Sequence, residues 1–336
     1  MNKFLSALNQ YKEEGKLYSQ VHPSLPLTIW NYTPKVQYEG LWDDITLMCR
    51  GLVTDNEGRI WARPFKKFFN LEENRHEPTD DFEIFEKLDG SLIIGFWYEG
   101  EFVLASRGSF TSDHALKAKE ILDSKYPKFR AFAYPNTTYC FELIGFEQIV
   151  VSYPKIDLIL TGRFELIRDD WKEIELFSSE SLFLSEIPIV KRYTGLDWKS
   201  IKNLNWTNAE GFVVRFSNGS RCKIKFDDYI RLHRVMTNIS EKKIWEALKD
   251  GTPISSILEN VPDEFFDSIK ESEKRFLEKY SEIEEGAKER FEFEKKMSED
   301  RKEFAKNISK FPAKSVLFAM LDGKDYSKII WKMLEP

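Results

Sequence analysis

The 336-residue chain is 42% hydrophobic, enough to bury a sizeable core in about two domains, and its formal net charge is −6. That balance argues against bulk attraction to nucleic acid but leaves room for a local basic cleft. There is no signal-peptide pattern, no apolar run near the ~18 residues of a membrane span, and no disulfide or zinc spacing among three cysteines and four histidines, so a cytosolic protein is expected.

Phe4, Leu5, Leu8 and Tyr11 recur on one face of residues 2–14, which predicts an opening helix lying as a lid on a sheet. The proline-containing stretch from His22 to Pro34 reads as irregular. Ile45 to Thr54 is apolar enough for a strand, Asn56-Glu57-Gly58 turns the chain, and Arg59 to Phe65 returns as its partner. Next come Phe82 to Lys87 and Leu92 to Tyr98, two strands around Asp89-Gly90-Ser91, a turn in which Gly90 permits unusual angles or a close approach. Lys87 is thereby displayed at a strand end, as a plain surface lysine or as a nucleophile. The second use requires neighbouring cations and partial burial to lower its pKa from about 10.4.

Glu99-Gly100 is a two-residue turn that pairs Tyr98 with Glu101 and sets Arg107 opposite Leu92, close after the lysine. Residues 113–133 are expected to be helical. Thr138 to Ile144 is an apolar strand carrying Glu142, a position that rarely holds a charge without a partner or ligand. Ile149 to Tyr153 and Ile156 to Thr161 read as further strands.

Residues 210–226 form a hairpin around Asn218-Gly219. A two-residue loop there pairs Ser217 with Ser220, Val214 with Lys223, Phe212 with Lys225 and Glu210 with Asp227. In that register Glu210, Lys223 and Lys225 share one face, with Val213, Cys222 and Ile224 on the other, and the lysines stand about 6.6 Å apart. A solvated, salt-bridged face has the same pattern. Beyond residue 240, helices are expected over 241–249, 254–260, 263–283, 285–310 and 314–334, with breaks at Pro262 and Asp322-Gly323. Ile244, Trp245, Leu248, Phe265, Phe266, Phe276, Leu277 and Tyr280 lie on the core stripes. The fold class is therefore α+β, with an antiparallel-sheet domain over residues 1–240 and an all-α domain over 241–336.

The sheet domain gathers Lys87, the cations Arg50, Lys67, Arg107, Lys223 and Lys225, and the carboxylates Glu142 and Glu210. This set suits phosphoryl chemistry, in which cations neutralise a polyphosphate, a carboxylate holds Mg²⁺ and a spare lysine attacks the α-phosphate. No Walker-type loop is present.

Lys87-Leu88-Asp89-Gly90-Ser91 resembles the nucleophile motif of the covalent nucleotidyltransferases, and specifically of the phage-type RNA ligase 1 family. Six further stretches resemble that family's motifs in order: Cys49-Arg50-Gly51, Arg63 to Leu71, Ser106 to Ser109, Phe141-Glu142, Glu210-Gly211 and Lys223-Ile224-Lys225. Arg107 stands where a relative in that family carries a lysine and keeps the charge. The resemblance implies an ATP-dependent RNA ligase that forms a lysyl-AMP intermediate on Lys87 with Mg²⁺ or Mn²⁺. It acts on RNA with 5′-phosphate and 3′-hydroxyl ends, in RNA repair and possibly on tRNA.

By the same resemblance Arg50, Lys67, Lys223 and Lys225 contact phosphates or ribose, Glu142 the ribose, Glu210 the metal or nucleotide, and Arg107, Glu86 and Tyr229 the nucleotide pocket. The chain is expected to be a monomer in the cytoplasm, or the host cytoplasm if phage-encoded, with no membrane partner. Two alternatives stay open at this point: a DNA ligase or capping-type enzyme, which normally appends a five-stranded barrel, and a non-catalytic RNA- or nucleotide-binding protein. The helical domain either selects RNA or buttresses the sheet domain.

Overall fold

Asn2 accepts a hydrogen bond from the Phe4 amide and starts α1 (Lys3–Glu13), whose Leu8 is fully buried. The computed structural model describes residues 2–73, 75–147, 150–168, 170–177, 186–237, 240–258, 261 and 266–336. After α1 come β1 (Leu17–Val21), β2 (Leu27–Tyr32), α2 (Pro34–Glu39), α3 (Asp44–Met48), β3 (Arg50–Asp55), β4 (Ile60–Ala62) and β5 (Phe69–Asn70). Next are β6 (Phe82–Lys87), β7 (Gly90–Tyr98), β8 (Glu101–Ser106), α4 (Asp113–Lys125), α5 (Phe129–Phe132), β9 (Thr137–Ile144) and β10 (Asp157–Ile167). This part closes with β11 (Asp170–Glu173), β12 (Arg192–Tyr193), β13 (Gly211–Phe216), β14 (Arg221–Lys225) and α6 (Asp227–Thr237). The chain divides into two units, Met1–Met236 and Thr237–Pro336.

The first unit contains three sheets, ordered β1-β2-β3-β4, β11-β10-β9-β7-β8 and β12-β6-β13-β14-β5. All pairings are antiparallel except β14 with β5. Strands β7 and β9 are covered on both faces, which is why they read as mostly apolar runs, with Glu142 the charged exception in β9. Ile93 and Phe141 join the cluster that includes Leu122 and Phe129, while Ile94, Phe96 and Cys140 join Leu27, Ile29 and Val53. The third sheet is two-sided: Ile84, Phe212, Val214, Phe216, Cys222 and Ile224 form its buried face, and charge lies on the other.

Several expectations are corrected. The β13–β14 register is one residue away from that of a two-residue turn. Phe212 faces Ile224, Val213 faces Lys223 and Gly211 faces Lys225, because Phe216 and Ser220 pair around the loop 217–219, in which Gly219 adopts φ +83°. The shift keeps Phe212 and Val214, both fully buried, on one face with Cys222 and Ile224. Ile45 to Met48 is helix rather than strand, since the Asp43 carboxylate accepts from the Ile45 and Thr46 amides and Thr46 closes a capping box.

The stretch from His22 to Pro34 contains β2, whose Leu27, Ile29 and Trp30 are buried. Val150 to Tyr153 makes no ladder; the Val150 and Val151 amides donate to Asp89 instead, and Ile149 lies outside the described residues.

The second unit holds α7 (Glu241–Lys249), α8 (Phe266–Met297), α9 (Arg301–Asn307), α10 (Lys314–Leu321) and α11 (Ser327–Met333), with a 3₁₀ turn at Ile254–Ile257 where a helix over 254–260 was expected. It contains no strand among the described residues. Helix α8 runs through Gly286, where two helices were expected. A helical glycine costs about 1 kcal/mol, and the burial of Ile283 and Ala287 against Val316 and Leu317 offsets it. Ile244, Trp245, Phe266 and Phe276 are buried as expected, whereas Leu277 is 46% exposed because it falls one position off the Phe276 stripe. Pro262 and Phe265 lie outside the described residues. No helix among them is long and apolar enough to cross a membrane.

A Cβ at Gly211 would lie 1.9 Å from the Ile224 carbonyl oxygen, and its φ is +151°; Gly219 has open space at φ +83°. Gly211→Ala should therefore destabilise the protein by about 2–3 kcal/mol in urea unfolding, and Gly219→Asn by less than about 1 kcal/mol. Equal losses would contradict this reading of the hairpin.

Candidate active site

The charged face of the third sheet is a grid defined by its register. Across β6, β13 and β14 one row is Lys87, Gly211, Lys225; the next is Phe85, Val213, Lys223; the last is Glu83, Arg215, Arg221. The absence of a side chain at Gly211 leaves the space between Lys87 and Lys225 open, and Glu210 fills it. Its Oε1 lies 2.8 Å from Lys87 Nζ and 3.2 Å from Lys225 Nζ. Glu210 and Lys225 are nearly closed to solvent, whereas the Lys87 side chain keeps 20% exposure. One carboxylate thus holds two ammonium groups and leaves an excess of positive charge.

This face and β7, β9 and β10 line a cleft that opens to solvent. Lys87, Glu86, Glu142, Arg50 and Thr161 line it, with Leu92 and Val213 as apolar walls and Phe65 and Phe68 beside them. Glu142 is pushed up to about 7, chiefly by burial, with the like charges of Glu210 and Asp89 opposing the pull of Lys87 and Arg50. Burial also raises Glu86, partly offset by Lys191.

Asp89 holds the strand end in place. Its Oδ2 accepts from the Val150 and Val151 amides at 3.1 and 2.9 Å, its Oδ1 from the Tyr229 hydroxyl at 2.9 Å, and its own amide donates to the Tyr153 hydroxyl at 2.8 Å. Asp89 is 7% exposed. Four contacts around a buried carboxylate set the direction in which Lys87 leaves β6. Gly90 is needed for packing, since a Cβ there would lie 2.4 Å from the Leu143 carbonyl oxygen.

The structure gathers Lys87, Glu210, Lys225, Glu142 and Arg50, with Lys223 on the same face one row further along. Tyr229 is buried, its hydroxyl engaged by Asp89 and its ring 5.2 Å from Lys225 Nζ. Lys67 and Arg107 do not line the cleft; both meet the Tyr32 ring, with Lys67 Nζ 5.9 Å and Arg107 Cζ 5.6 Å from its centroid. Asp89, read from sequence only as a turn residue, and the Tyr32 cluster are the missed parts. An acid between two apolar strands was the available signal for the first; the second joins residues too far apart in sequence to leave one.

Among the described residues no group of three or more acidic, histidine or cysteine side chains could hold a metal. Glu142 and Glu210 offer hard oxygen donors, so a Mg²⁺ or Mn²⁺ ion held here would complete its shell with substrate phosphate oxygens and water.

A protein of Autographa californica nuclear polyhedrosis virus, assigned as a bifunctional polynucleotide kinase/RNA ligase, is 26% identical over 249 residues, covering 61% of this chain and 35% of its own length. One of Thermovibrio ammonificans, assigned as an RNA ligase, is 28% identical over 262 residues, covering 70% of this chain and 65% of its own. The chain thus spans about a third to two thirds of the length of these relatives. Among solved structures, an archaeal ATP-dependent RNA ligase aligns with a TM-score of 0.49 and 15% identity, over 84% of this chain and 79% of that one. The model of the RNA ligase family matches residues 48–230, over half of the chain and every motif of the grid and cleft, and the chain belongs to that family.

Proposed function

We propose that the protein is an ATP-dependent RNA ligase that stores AMP on Lys87. The observation that carries this reading is the Lys87 amine, held at a strand end facing the cleft and tied through Glu210 to Lys225. In the first step Nζ attacks the α-phosphorus, a P–N bond forms, the bond to the β-phosphoryl oxygen breaks and pyrophosphate leaves. Glu210, 2.8 Å away, is the carboxylate positioned to take the ammonium proton. In the second step an RNA 5′-phosphate oxygen attacks the same phosphorus and returns the amine. In the third a 3′-hydroxyl attacks the activated 5′-phosphorus, and AMP leaves.

Lys225, Lys223 and Arg50 offset the charge that develops on phosphoryl oxygens, and Glu142 accepts from a ribose hydroxyl. Mg²⁺ or Mn²⁺ supplies further charge neutralisation when bound. The viral relative's name couples ligation to a polynucleotide kinase, a reaction that would supply the 5′-phosphate consumed here. Repair of broken RNA, tRNA included, by a cytoplasmic monomer is the setting this chemistry fits.

Lys87→Ala should abolish covalent labelling by radioactive ATP and still seal RNA supplied with an adenylylated 5′ end. Normal labelling of that variant would end the proposal.

Glu142 supplies a pH test. Its folded value lies above the ordinary carboxylate value, so ionisation disfavours the folded state; the penalty grows as pH rises and is complete above about 7. Glu142→Gln removes it. The variant's Tm should exceed that of the unliganded wild type by on the order of 5 °C at pH 8, with the gain shrinking toward pH 5, while AMP transfer falls by about tenfold or more. A pH-independent Tm difference would show that the carboxyl is not strained.

A further inference from the structure

In the second unit, the turn before α10 and the end of α11 leave an apolar notch on α8. Ile283, Gly286, Phe311 and Leu334 line it, with Lys279 and Glu282 as its charged members. Phe311 is half-buried, and its ring meets no other ring among the described residues, whereas Phe304 is in edge contact with both Phe291 and Phe318.

Helix α8 gives up a side chain at the notch without being forced to. A Cβ on Gly286 would meet no atom within 4 Å, so packing against the neighbouring helices does not require glycine there. The residue nevertheless weakens a helix of 32 residues. What it preserves is open space beside an approachable backbone, the use of glycine where a ligand comes close.

Charge around the notch differs from that on the rest of α8. Lys274, Lys288 and Arg290 pair with Glu278, Glu284 and Glu294 of the same helix, and Arg275 pairs with Glu241. Lys279, Lys310 and Lys314 are exposed and make no ion pair among the described residues. Lys310 and Lys314 bracket in sequence the three residues, Phe311 to Ala313, that line the notch. Residues 301–332 carry eight basic side chains against three acidic ones, so this surface presents positive charge that the chain itself leaves uncompensated.

We propose that the notch is a second RNA site, which takes one unpaired base against Phe311 while the neighbouring phosphates meet Lys279, Lys310 and Lys314. It rests on the RNA-ligase reading and adds a place where the RNA is held. An aromatic face stacks on any base, and lysines without counter-charges bind phosphates with release of condensed ions. Glu282 repels a phosphate but accepts from the amino group of a base, so the base and not the backbone enters.

The experiment titrates the full chain with short single-stranded RNAs, each carrying a 5′-phosphate and a 5-iodocytidine at a different position, and reads binding by fluorescence anisotropy at several salt concentrations. Ultraviolet irradiation of one member of the series should join its iodocytidine to the peptide containing Phe311. Lys310→Ala with Lys314→Ala should weaken binding about tenfold and lower the slope of log Kd against log salt by about 1.4. Gly286→Leu fills the notch with a strong helix former, so Tm should hold or rise while Kd climbs about tenfold. Every variant should take AMP on Lys87 at the wild-type rate. Cross-links confined to other peptides, or an unchanged Kd and salt slope in the lysine pair, would overturn the proposal; those two exposed side chains keep the test independent of folding. Failure of the ligase reading looks different: wild-type protein would then take no label from ATP on Lys87, whatever its affinity for RNA.

Discussion

The carboxylate of Glu210, shared between the ammonium groups of Lys87 and Lys225, is the interaction on which the site depends. Two lysines in one row of a sheet repel, and burying them without a counter-charge costs several kcal/mol. The solution requires the strand between them to carry no side chain at that row, and Gly211 meets the requirement at φ +151°. It also requires the β13–β14 register observed, because pairing one residue along would set Phe212 in place of Gly211 opposite Lys225. A backbone constraint and an ion pair thus specify each other.

A second buried carboxylate extends this order outward. Asp89 ties the end of β6 to the 150–153 segment and to α6 through Tyr229. The amine that would attack is therefore carried by a strand end fixed from two directions, and the same contacts bring Tyr229 beneath Lys225. Such rigidity favours in-line attack, since the reacting atom must be held within a fraction of an ångström of its path.

Much of this was legible in the sequence, and the parts that were not have physical reasons. The runs of β7 and β9 were recognisable because strands buried on both faces need apolar residues along most of their length. The Glu99-Gly100 turn correctly paired Tyr98 with Glu101, whereas Asn218-Gly219 misled, because that dipeptide also serves a three-residue loop whose last residue is left-handed. Only the burial of Phe212, Val214 and Phe216 distinguishes the two, and burial is a tertiary fact. Ile45 to Met48 had strand composition, but the Asp43 cap outweighs propensity over a single turn. The family resemblance named Lys67 as a phosphate contact; its place beside the Tyr32, Trp42 and Phe69 rings could not be read, since those residues come together only when two sheets and the loop before α3 are assembled.

The central claim is that Lys87, bridged by Glu210, is the residue that carries AMP. The most direct test is mass spectrometry of the full-length protein digested after incubation with ATP and Mg²⁺, then again after a chase with pyrophosphate. The account predicts one AMP adduct, on the peptide containing Lys87, that disappears in the chase as ATP re-forms. An adduct on Lys223, Lys225 or any other residue, or none at all, would contradict it.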